Sequence, residues 1–166
     1  TRVDCGDGCG SPVVYDLEPL PPQHPEPGMA LATPFGIQMS EDDSTLVVTA
    51  ASSAKVFTMD PDTGAVLDRV EVGAVPRGIA LESRSNGAAT IAWVLNAVDN
   101  SVSVVNVALP SNLRVIDTIA LDDPTHPDVK LGRMVFNDAD ASTTGTFSCE
   151  SCHPDGHTDQ LIWVLQ

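Results

Sequence analysis

The sequence predicts a mainly β chain: an incomplete β-propeller of about two four-stranded blades, followed by a short α-helical segment. Three observations lead there. Between Pro34 and about Leu121, apolar and polar residues alternate in short β-branched runs bounded by Gly, Pro and Asp. The runs repeat, since Pro34-Phe35-Gly36-Ile37 returns as Pro76-Arg77-Gly78-Ile79, 42 residues later. Thirteen prolines and twelve glycines against two Trp, one Tyr and four Phe favour turns over long helices. A period near 40 with room for four strands marks a propeller blade.

Residues 1–30 read as a Pro-rich extended arm, because Pro19, Pro21, Pro22, Pro25 and Pro27 each fix φ and remove a backbone donor. Within it, Cys5 and Cys9 flank a glycine-rich acidic loop whose spacing suits a small local disulfide in an exported protein. His24 reads as a solvated side chain on the arm. Residues 31–121 hold the two repeats. Thr45–Thr49, Lys55–Met59 and Ala65–Val70 are strand-like, with Met39 and Met59 expected in the sheet core. Asp60-Pro61-Asp62-Thr63-Gly64 is a hairpin turn rather than a calcium loop, because the oxygens of an EF-hand do not follow it. In the second unit, Trp93-Val94-Leu95-Asn96 is matched to Leu46-Val47-Val48-Thr49, and Ser101-Val102-Ser103 to Lys55-Val56-Phe57. Two units cannot close a ring of four to eight blades, so open sheet surfaces are expected. The 166 residues are therefore expected to be a piece of a longer polypeptide or one unit of an assembly.

Residues 122–166 carry the chemistry. Cys149-Glu150-Ser151-Cys152-His153 is C-x-x-C-H, the attachment motif of c-type haem. Two thiols one helical turn apart can add to the two vinyl groups of one haem, which places the next residue, His153, beneath the iron as axial ligand. The competing readings are a redox-active C-x-x-C pair, which needs a surrounding βαβ pattern, and half a structural zinc site, which needs further ligands. For the second axial position the in-chain candidates are His126, in the rigid Pro124-Thr125-His126-Pro127 loop, and Met134, in the helix-like stretch Asp128–Asn137, whose other reading is core packing. His157 is placed as a donor to a haem propionate or to a group that itself contacts the ligand, and Arg133 as a propionate partner or surface ion pair. Trp163 is expected to pack against the porphyrin or a partner.

The second unit, residues 92–106, resembles the YVTN-type propeller repeat, and Thr49-Ala50 stands at its Thr-Asn position in the first. The run from Leu131-Gly132-Arg133 through Phe136, Gly145 and Ser148 to Cys149, Cys152, His153-Pro154-Asp155-Gly156 and Thr158-Asp159 resembles the haem module of the bacterial di-haem cytochrome c peroxidase/MauG superfamily, as fused behind such repeats. The resemblance implies one covalent haem c held by Cys149, Cys152 and His153, and electron transfer or, in some relatives, peroxide reduction.

Eight Lys and Arg against 23 Asp and Glu give a net charge of −15. Such a chain repels phosphate, which excludes nucleic acid as a partner class. No apolar run reaches the ~18 residues of a membrane span. The first expectation is an exported, periplasmic or extracellular c-type cytochrome for electron transfer, with the propeller repeats as scaffold or docking surface for a redox partner protein. Part of a di-haem peroxidase-like oxidoreductase, or a haem-stapled structural subunit of a larger assembly or filament, are the alternatives.

Overall fold

The computed structural model describes residues 14–19 and 22–160. Eight strands form two antiparallel meanders, each in sequence order. The first sheet contains β1 (Pro34–Met39), β2 (Leu46–Ala50), β3 (Lys55–Met59) and β4 (Val66–Glu71). The second contains β5 (Pro76–Ser83), β6 (Ala89–Asn96), β7 (Ser101–Asn106) and β8 (Arg114–Ala120). Helix α1 (Pro127–Asn137) and the one-turn helix α2 (Cys149–Cys152) follow. The mainly β, propeller-like architecture of two unclosed blades is thus the one the sequence predicts.

The hairpins fix how the units correspond. Ala50 pairs with Lys55 at the end of the β2–β3 ladder, and Asn96 with Ser101 at the end of β6–β7. Val47 is therefore the counterpart of Trp93, and Val48 of Val94. The sequence match of Leu46 to Trp93 is corrected by one residue. The correction matters because a one-residue slip in a strand exchanges its two faces. Asp60-to-Gly64 closes the β3–β4 hairpin as expected: Asp60 Oδ1 accepts from the backbone N–H groups of Asp62 and Thr63, and Gly64 takes φ +71°.

The main core lies between the sheets. Val47 and Val56 of the first pack on Ala92, Val94 and Val105 of the second, with Val70, Ile79 and Val115 around them. Two polar contacts cross the same seam. Thr58 Oγ1 donates to the Pro110 carbonyl at 2.5 Å, and Asp68 Oδ2 accepts from the Leu113 N–H at 2.7 Å. The other face of the first sheet, with Val48, Ala50, Phe57 and Met59, is covered by the arm through Leu17 and the buried Leu31. Glu18 accepts from the Leu31 N–H, and Arg69 donates to the Met29 carbonyl. The described part of the arm thus contributes to the core of the first sheet through Leu17. Met59 is buried as expected. Met39 is not, at 42% exposed, because it ends the edge strand β1, outside the cluster that Leu31 covers. Cys5, Cys9 and Trp163 lie outside the described residues.

Removing the inter-sheet acceptor should leave the Leu113 N–H unpaired at a closed seam. Asp68→Ala is expected to lower unfolding free energy by ~1–3 kcal/mol, read as a lower urea midpoint with unchanged slope.

Candidate haem site

Helix α2 sits on one end of the paired sheets, and the sequence of the turn explains how. Ser148 caps it, in a reciprocal pattern in which Ser151 Oγ accepts from the Ser148 N–H at 3.0 Å. The buried Ser148 hydroxyl also bonds Ser52 Oγ at 3.1 Å, in the turn between β2 and β3. Glu150, 9% exposed, pairs with Arg77 at the start of β5. Arg77 reaches Asp155 Oδ1 at 3.3 Å on its other nitrogen and lies over the Phe35 ring at 4.7 Å. Phe35 and Arg77 occupy the same position in the two repeats, so β1 and β5 meet there. Gly36 permits the approach, since a Cβ at that position would collide with the Arg77 carbonyl. Both sheets therefore hold α2, one through Ser148 and the other through Glu150.

On a helix, Cys149, Cys152 and His153 share a face that Glu150 does not. With Glu150 turned inward, Cys149 is exposed, Cys152 half-buried and His153 exposed, and both thiols are free. His153 Nδ1 donates to the His157 carbonyl at 2.9 Å. That bond places the ring proton on Nδ1 and leaves the Nε2 lone pair open for a metal. The chain reaches this geometry by turning sharply after the helix, with Asp155 at φ 52° and Gly156 at φ +77°. His157 thus acts through its backbone, not its ring. Among the described residues, no third His, Cys, Asp or Glu joins a cluster that could hold a metal ion in the manner of a zinc site. The free thiols one turn apart, with an oriented imidazole beside them, fit covalent haem.

The second-axial candidates stand at the start of α1 and within it. His126 caps α1, its Nδ1 accepting from the Asp128 N–H at 3.3 Å. Met134 faces a cavity of about 360 Å³ between α1 and the first sheet, beside Ala51–Lys55. Arg133 and Asn137 line a second cavity, of about 700 Å³, shared with Arg77, Glu150 and Asp155. His24 bonds its neighbour's carbonyl, Pro25, at 3.1 Å. The positioning residues Ser52, Arg77, Ser148 and Glu150 escape the sequence reading. The S-x-x-S spacing across Ser148 and Ser151 was the available signal for the cap, but none marked Arg77 and Glu150 as a pair.

A polar anchor holds α1. Asp123 accepts from the Thr125 N–H at 3.0 Å and from Lys130 Nζ at 3.1 Å, and Lys130 also reaches the Asp99 carbonyl at 3.0 Å. The Thr125 bonds, with Lys130, lower the Asp123 carboxyl from its ordinary 3.8 to about 2.

Comparison with known proteins agrees with this site. The di-haem cytochrome c peroxidase family (CCP_MauG) matches residues 126–162, from the α1 cap through the haem motif. Over residues 126–162 the chain is similar to haem-binding, cytochrome-like proteins. More particularly, it joins a propeller-like pair of sheets to a segment of the di-haem cytochrome c peroxidase/MauG kind. Among solved structures, hydrazine synthase of Kuenenia stuttgartiensis is 34% identical over 54% of this chain and 24% of that one, with a TM-score of 0.46. The periplasmic gluconolactonase PpgL of Pseudomonas aeruginosa is 19% identical over 68% and 30%, at 0.45. The dihydro-haem d1 dehydrogenase NirN is 17% identical over 55% and 18%, at 0.43. The chain spans less than a third of each of these proteins. No curated protein matches it. No helix among the described residues is long and apolar enough to cross a membrane.

Two outcomes are expected from the anchors. Arg77→Ala leaves Glu150 covered without its cation, a loss of ~1.5–3 kcal/mol. Amide exchange at 149–153 should accelerate at least tenfold, while the strand amides of β2 and β6 keep their protection. Because the folded-state Asp123 carboxyl is depressed, its contribution is full above about pH 4 and is lost as pH falls through about 2. The stability gap between the native chain and Asp123→Asn should therefore narrow over that interval, measured by urea unfolding at each pH.

Proposed function

We propose that this chain is an exported c-type cytochrome that carries one covalent haem and transfers electrons, with the propeller-like sheets as its scaffold. The observation that carries the reading is the pairing of Cys149 and Cys152 with His153, whose Nδ1–H is committed to the His157 carbonyl. Cys149 and Cys152 would form the thioethers, and His153 Nε2 the axial bond. The bound haem supplies a one-electron ferric/ferrous couple. The chain's own residues do the rest: Ser148 and Glu150 aim the motif outward, and the His157 carbonyl raises the basicity of His153 as a ligand. His126 and Met134 remain the in-chain proposals for a further residue that would hold the iron.

An outward-facing motif suits docking by a redox partner protein, and the charge of −15 favours a partner with a basic surface. The family match supports a second reading, in which the segment is one half of a di-haem peroxidase-like oxidoreductase. A haem-stapled subunit of a larger assembly or filament is the third. Export is proposed because haem c attachment takes place outside the cytoplasm.

Intact mass under denaturing conditions tests the first step. The native chain should carry the added mass of one haem, and Cys149→Ser with Cys152→Ser should carry none. A native chain without haem would sink the reading. Peroxide-dependent oxidation of a reduced donor, together with a high-spin ferric spectrum, would move the function to the oxidoreductase.

A further inference from the structure

The second sheet carries a cluster of donors at the end away from the haem motif. Arg77, near the start of β5, holds α2, and Arg84 follows the other end of that strand. There Arg84, Asn106, Ala108, Leu109, Asn112 and Arg114 line a cavity of about 520 Å³, a size that suits a small molecule. Among the described residues no acidic side chain lines it, in a chain with 23 Asp and Glu against eight Lys and Arg. Arg77 and Lys130 are paired with carboxylates, whereas among the described residues no carboxylate pairs with Arg84 or Arg114. Arg114 Nε donates to Asn112 Oδ1, at a long 3.5 Å.

The two repeats show how the cluster arises. The β2–β3 and β6–β7 ladders place Asn106 where the first sheet has Asp60. Both side chains close the same turn: Asp60 Oδ1 accepts from the Asp62 N–H at 2.9 Å, and Asn106 Oδ1 from the Ala108 N–H at 3.0 Å. Asparagine keeps that oxygen, removes the charge and sets an amide NH2 where aspartate has its second oxygen. The cross-strand neighbour changes in step, from Ala65 beside Asp60 to Arg114 beside Asn106. An acidic turn in one repeat has thus become a donor site in the other.

Both loops are fixed against the first sheet. In the β7–β8 loop, the Pro110 carbonyl accepts from Thr58 and the Leu113 N–H donates to Asp68. In the β5–β6 hairpin, the Gly87 carbonyl accepts from the Asp42 N–H at 3.2 Å. Donors held in this way lose little freedom when a ligand arrives.

We propose that Arg84, Arg114 and the Asn106 amide bind a small organic monocarboxylate, whose carbon body lies on Ala108 and on Leu109, itself 63% exposed. A guanidinium matches a carboxylate with two parallel N–H bonds. Inorganic phosphate fits less well, because it leaves Leu109 uncovered and brings more negative charge into the field of a chain at −15. This site does not depend on the haem.

The test uses the native protein at its natural length, with butyrate as the probe and saturation-transfer NMR as the readout. The expected signal saturates with butyrate concentration and is strongest at the terminal methyl group. Asn106→Asp should weaken binding at least tenfold with an unchanged melting temperature, since aspartate makes the same turn at position 60. Arg114→Gln, at an exposed position, should give a similar loss. Absence of a saturable signal overturns the proposal, as does undiminished binding to Asn106→Asp and Arg114→Gln. Displacement of butyrate by a lower concentration of inorganic phosphate overturns it as well.

Discussion

The haem motif depends on the seam between two sheets. A four-residue helix has too few internal hydrogen bonds to persist alone, since forming the first turn costs more than it returns. Here α2 exists because its N-cap and its second residue are tied to different sheets, through Ser148 to the β2–β3 turn and through Glu150 to Arg77 on β5. The helix is therefore held only where the seam is in place. Val47 and Val56 against Ala92, Val94 and Val105 set the distance between Ser52 and Arg77, and that distance sets where Cys149 and Cys152 point.

This divides the labour within six consecutive residues. Ser148, Glu150 and Ser151 face the scaffold or the helix end, and Cys149, Cys152 and His153 face away from it. The C-x-x-C-H pattern specifies only the outward set; the two positions between the cysteines are chemically unrestricted, and this chain uses both. Glu150 directs the helix, and Ser151 closes its first turn. Burying a carboxylate is costly unless it is paired, and the guanidinium of Arg77, itself packed on Phe35, provides the pairing.

The sequence made local features legible and long-range ones opaque. Strand runs, the Asp60–Gly64 turn, α1 and the haem motif all rest on spacing within a few residues, and each lies where its pattern placed it. The repeat was visible too, but its register in β2 was misread by one residue. Leu46-Val47-Val48-Thr49 and Val47-Val48-Thr49-Ala50 are equally strand-like, and only the hairpin pairing with Lys55 distinguishes them. The role of the arm was missed because proline content reports backbone stiffness, whereas Leu17 and Leu31 act through contacts with strands far along the chain. Arg77 and Glu150 stand more than seventy residues apart, and nothing local in either marks the other.

The distribution of packing explains why a covalent tether suits this segment. The sheets bury Phe57, Val47, Val56, Val94 and Val105 almost completely, whereas α1 leaves Val129, Leu131 and Val135 more than half exposed and buries only Asn137. Cavities of about 700 and 360 Å³ lie beneath it. Helix and motif are thus held by Asp123–Lys130, Ser148–Ser52 and Glu150–Arg77 rather than by an apolar core. A region with few buried apolar contacts opens locally at lower free energy than the sheets that support it. A cofactor gripped only by that shell would be lost at each opening. The proposed thioether bonds at Cys149 and Cys152 would remove that dependence, so that local opening would change the exposure of a haem without releasing it.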